Sequence, residues 1–169
     1  GMGIAFGKQY RAANMHKSIP FYSVFTIDNL SLPGWGKNAI GTFHTSYWDV
    51  SSKRADNQKF IKDFKKKYGY NASMFGAQAY DLPFLLDKAV KAVNGDLSNK
   101  KGIIAAIEKV TYLPTKGNFR YNSNHVPIQN FYKRKVIADA SGNAKIVTDG
   151  VVFKAYKDSY YKQCKMKRL

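Results

Sequence analysis

The chain opens on a helical period. Phe6, Tyr10 and Ala13 recur at i, i+4 and i+7, which puts them on one face of a helix over residues 5–16. Lys17 and Ser18 end the pattern, and Pro20 bars its continuation. Residues 19–25 are aromatic and β-branched with no charge, the composition of a strand buried on both faces in a helix-covered parallel sheet. Turn formers crowd residues 26–36, which read as a loop, and the Thr- and aromatic-rich residues 39–47 read as a second strand. A helix capped by Ser51 or Ser52 runs to Tyr68, with Phe60, Ile61 and Phe64 inward and Gly69 as its stop. The next helix starts near Ser73 and turns Leu82, Leu85, Leu86, Ala89, Val90 and Val93 to the core, with Pro83 in an early turn. Ser98 caps a third helix that carries Ile103, Ile104, Ile107 and Val110.

Beyond Pro114 the hydrophobic period falls from 3.6 to 2. Residues 118–121, 128–137 and 147–156 read as strands, with a tight turn at residues 140–143 between the last two. The pattern is β/α first and antiparallel β last, so the fold class is α/β with antiparallel C-terminal strands. The 169 residues suffice for one core, and no internal repeat or low-complexity tract interrupts them.

Several segments, in this order, resemble one known architecture. They are the Ala79-Tyr80-Asp81 step leading into an apolar helix, the Asn94-Gly95-Asp96 break, and the Gly117-Asn118-Phe119-Arg120-Tyr121 strand. The front half, from residues 19–27 through the Phe60-to-Tyr68 helix, and the tail from Asn122 to Met166 extend the likeness over essentially the whole chain. The sequence resembles the C-terminal portion of the type I periplasmic solute-binding proteins of ABC importers, the branched-chain amino-acid-binding group.

The resemblance implies a partial Rossmann-like fold: an incomplete second lobe, helices lent to the first lobe, and returning strands. Residues 1–72 would belong to lobe two, 73–125 to lobe one, and 126–169 to the return strands and tail. It implies reversible capture of a small solute, an amino acid or an aromatic or aliphatic carboxylate, for delivery to an ABC permease, without chemistry or cofactor. Strand C-termini in open α/β sheets collect ligands, because loop side chains and unpaired amides converge there. On that basis Tyr22 or Phe25 would supply an apolar wall, Thr26 a donor and acceptor, and Asp28 a carboxylate for an amino group. Tyr80 and Asp81 would stand near the cleft and hinge. The location implied is periplasmic, although the chain as given is expected to carry no signal peptide. Surface that the missing lobe would cover leads to an expected homodimer or swapped assembly.

Charge adds one rival. Twenty-eight Lys and Arg against eleven Asp and Glu give +17, a legitimate footprint for nucleic acid. The cations dot every polar face instead of forming a stripe, and the run Lys133-Arg134-Lys135 reads as solvated. A basic tail with Tyr160 and Tyr161, running to Arg168, is the best candidate for phosphate contacts and stacking. An orphan self-associating module is the other alternative. An enzyme is not expected, since no nucleophile motif, paired carboxylates or phosphate-cradling Gly loop occurs. Cys164 is the single cysteine and His16, His44 and His125 lie far apart, so no metal site is expected and the histidines read as packing or surface residues.

Overall fold

The computed structural model describes residues 2–166. Helix α1 (Met2–Ala12) buries Gly7 and Tyr10. The glycine is there for closeness: a Cβ on Gly7 would lie 1.8 Å from the Trp35 ring. Tyr10 packs on Phe21, and Phe21 on Trp35, with centroids 5.5 and 5.9 Å apart. This aromatic stack ties α1 to a core of Ile27, Trp35, Ala39, Val136 and Ile146.

Strand β1 is only Tyr22–Val24 and pairs in parallel with β2 (Phe43–Ser46). The expected buried strand is an edge strand instead, with Tyr22 and Val24 exposed. Between them the chain makes the short helix α2 (Leu32–Trp35) and a 3-10 turn, where a plain loop was expected. Asp28 starts α2 by accepting the Leu30 and Ser31 amides on Oδ1.

Helix α3 (Ala55–Tyr68) ends at Gly69, whose positive φ of 78° suits the left-handed stop. Helix α4 (Met74–Ala92) is capped by Ser73, which accepts from the Gly76 amide. Its apolar stripe is split: Leu85 and Ala89 are buried, but Leu82 and Leu86 are exposed. Helix α5 (Lys100–Glu108) is capped by Asn99, not Ser98, which is bound to Asp96 instead. The second core cluster joins Trp48 and Phe60 to Met74 and Ala77, so α3 and the start of α4 share one interior.

The remaining strands are antiparallel. A small hairpin, β3 (Tyr112–Leu113) and β4 (Gly117–Asn118), was not foreseen. Strand β5 (Arg120–Tyr121) joins the start of the long β6 (Pro127–Ala138), whose middle pairs with β2. Strand β7 (Ala144–Tyr156) returns along β6 after a turn in which Asp139 accepts the Ser141 and Asn143 amides. Among the described residues no helix is long and apolar enough to cross a membrane.

Candidate functional site

The parallel strands end at Val24 and Ser46, and the residues just past those ends form a rim. Phe25 turns there with a φ of 56°, an unusual angle for a non-glycine residue, and its ring meets Tyr47 edge-on at 5.3 Å. The Tyr47 hydroxyl donates to Gln78 Oε1 at 2.8 Å, bringing the first turns of α4 to the rim. Burial, and then the charge of Asp28, raise the Tyr47 pKa, so this hydroxyl is a neutral donor at physiological pH.

The six residues singled out from sequence do not all converge. Phe25, Thr26 and Asp28 lie in consecutive turns of the rim, with Thr26 Oγ1 bound to the Val24 carbonyl. Asp28 is buried, and its Oδ2 has no hydrogen-bond partner. Tyr80 faces inward on α4, its ring 4.7 Å from Phe60. Tyr22 sits at the other end of β1, stacked on Phe43 at 5.1 Å. Asp81 is buried and spends both oxygens on Thr115, on its amide at 2.9 Å and its hydroxyl at 2.6 Å. Asp81 therefore locks α4 to the β3–β4 turn. Asp81→Ala is expected to lose about 2 kcal/mol, because it strands two buried donors, whereas Asp81→Asn keeps an acceptor and loses under about 1 kcal/mol. Urea denaturation of the two variants checks this.

Tyr47 and Gln78 were missed by the sequence reading. Tyr47 was read as the end of a strand and Gln78 as one more polar helix residue. Only their meeting across 31 positions makes them a pair.

Behind Tyr47 lies a cavity of about 770 Å³ that none of the six residues lines. Lys116 stands between the two regions, its ammonium 4.7 Å above the Tyr47 ring and 2.9 Å from Gln129 Oε1. Among the described residues no three His, Cys, Asp or Glu side chains gather as metal ligands. The arrangement can hold a small molecule by ring contacts and neutral hydrogen bonds.

Residues 1–142 match the periplasmic binding protein family. The chain belongs to that family. Its solved structural neighbours are type I periplasmic binding proteins of ABC transporters. One is a solute-binding protein from R. palustris in complex with benzoate, 30% identical with a TM-score of 0.82 over 97% of this chain. A second, from Rhodopseudomonas palustris in complex with 3,4-dihydroxybenzoic acid, is 25% identical with a TM-score of 0.79 over 94% of this chain. A leucine-binding protein from Thermotoga maritima, at 17% identity and a TM-score of 0.70 over 89% of this chain, shares the fold. This chain spans 43%, 44% and 41% of those three proteins. No curated protein matches it. In this periplasmic binding protein the Ala79-Tyr80-Asp81 step lies within α4, not ahead of it, and the strand expected over residues 117–121 is split into β4 and β5, which pair with different partners.

Proposed function

We propose that this chain is part of the substrate-binding component of an ABC importer, working in the periplasm, and that its solute is an aromatic monocarboxylate. The observation that carries the reading is the Phe25–Tyr47 ring pair at the C-terminal ends of two parallel strands, with the Tyr47 hydroxyl bound to Gln78. Edge-on rings 5.3 Å apart make an apolar wall of the thickness and shape that receive a third ring. The Gln78 amide and the Tyr47 hydroxyl stand ready for a polar substituent on that ring. Relatives at 30% and 25% identity hold benzoate and 3,4-dihydroxybenzoic acid, which supports this class over branched-chain amino acids. Capture would be reversible, the solute favouring whichever arrangement of the intact protein encloses it. The nucleic-acid reading lacks support: the family and its neighbours are solute-binding proteins, and part of the basic tail, Lys167 and Arg168, lies outside the described residues.

Calorimetric titration of the chain with benzoate, 4-hydroxybenzoate and leucine tests the reading. Saturable binding of the benzoates is expected, weakened about tenfold by Phe25→Ala through the lost ring contact. Leucine binding more tightly than benzoate, or an indifferent Phe25→Ala variant that keeps its thermal midpoint, would refute the aromatic assignment.

A further inference from the structure

The 770 Å³ cavity behind Tyr47 is unlike the rim in charge. Arg54, Lys116, Arg120 and Lys154 line it, against the single carboxylate of Asp49. Asp49 is already engaged, since its Oδ1 accepts from Ser51 and from the Thr148 hydroxyl. Among the described residues no ion pair joins any of the four cations to an acid.

The cations are held, not merely present. Arg54 reaches the carbonyls of Pro114 and Thr115 and lies against Gly117, where a Cβ would stand 2.8 Å from its guanidinium. That glycine has a φ of 75°, so the β3–β4 turn both needs and exploits it. Two carbonyls occupy only part of the guanidinium's five N–H donors. Lys116 is fixed by Gln129, Tyr47 and Phe119, and burial lowers its pKa while the charge of Asp81 partly opposes the shift. Lys154 is brought to the mouth by the distorted end of β7. There the pairing with β6 slips, Ala155 takes a φ of 49°, and its amide is pinned by Asn130 Oδ1 at 2.8 Å. Tyr112, Phe119 and Tyr132 supply apolar wall between these charges.

We propose that this cavity, which shares the Tyr47 ring with the rim but none of Phe25, Thr26 and Asp28, is a second ligand site that takes an organic dianion with an apolar body, of the dicarboxylate class. Its volume fits a ligand of drug-like size, within the about 300–1,000 Å³ usual for small-molecule pockets. Four cations stand against Asp49 in the lining and Asp81 beyond it, whose charge Lys116 and Arg54 feel, which leaves room for two negative charges that a monocarboxylate would satisfy only in part. The aromatic walls favour a ring or chain over a bare inorganic dianion.

Terephthalate is the probe, with benzoate and sulfate as comparators, titrated calorimetrically into the chain as it stands. Terephthalate is expected to bind more tightly than either comparator and to weaken as salt rises. The Arg120 and Lys154 side chains are exposed and, among the described residues, make no hydrogen bond or ion pair, so Arg120→Gln with Lys154→Gln leaves the thermal midpoint unchanged. Each substitution should weaken terephthalate by about fivefold, the value of a partly exposed charge contact. Benzoate affinity should not move in that double variant. No saturable terephthalate binding at millimolar concentration overturns the proposal, as do sulfate binding equally well and a double variant with unchanged terephthalate affinity. The two sites are told apart by Phe25→Ala: it weakens benzoate alone if both readings hold. Benzoate binding without terephthalate removes only the second site; the reverse removes only the aromatic monocarboxylate reading of the rim.

Discussion

Lowering the pH from 6.5 to 4.5 is expected to remove about 2 kcal/mol of folding stability through His44 alone. His44 is 2% exposed on β2, directly opposite Arg134 on β6, and neither ring nitrogen has a hydrogen-bond partner. Burial first, and then the guanidinium charge, lower its pKa from 6.5 to about 3. Across that window the unfolded chain binds a proton that the folded chain refuses. The contribution is therefore complete above pH 6.5 and drains away as pH falls toward 3, at about 1.4 kcal/mol per pH unit. Urea midpoints measured from pH 7 to pH 4.5 should fall for the parent protein and stay much flatter for His44→Gln. Parallel profiles for the two proteins would mean that another group drives the acid response.

His44 also marks where sequence reading stopped. Local signals served at some helix ends and misled at others, since α5 takes Asn99 where Ser98 was expected and α3 starts after Arg54 with no cap from Ser51 or Ser52. Gly69 stops α3, Ser73 caps α4 and the Asp139 turn closes the β6–β7 hairpin, because each depends on residues a few positions apart. The stripe on α4 was over-read, since an apolar period shows that a face is available without showing what covers it; Leu82 and Leu86 stay exposed. The same limit applies to β1, whose uncharged run looked doubly buried yet forms an exposed edge.

Charge was harder to read than hydrophobicity. Lys133-Arg134-Lys135 looks like one solvated run when only composition is counted. On a strand, however, successive side chains point to opposite faces. Arg134 is thus 1% exposed while Lys133 pairs with Asp149 at the surface. The period-2 signal for this was in the sequence once β6 had been assigned. The position of Phe25, Thr26 and Asp28 just past a strand end was legible, since strand ends can be found from the chain. Tyr47 and Gln78 were not, because no short-range rule brings residues 31 apart into one hydrogen bond.

Arg134→Ala is expected to be among the most damaging single substitutions, at about 4 kcal/mol, whereas Arg134→Met should change stability little or raise it. Arg134 lies between His44 on β2 and Thr148 on β7, with Nε and Nη2 buried and unpartnered. Burial lowers its pKa to about 10 while Asp49 and Asp28 resist, so the group remains charged at neutral pH. Truncation to Ala opens a cavity and withdraws the attraction felt by two carboxylates, one of which, Asp28, keeps a buried oxygen without a donor. Methionine fills most of the volume, and an uncharged filler no longer pays the desolvation of a guanidinium. The two predictions are linked: without the neighbouring positive charge the His44 pKa should rise, so the acid profile of Arg134→Met should be shallower than that of the parent. Chemical denaturation at pH 7 separates the two variants, and repeating it at pH 5 tests the link. A Met variant as unstable as the Ala variant would show that the charge itself, not the space it fills, holds β2, β6 and β7 together.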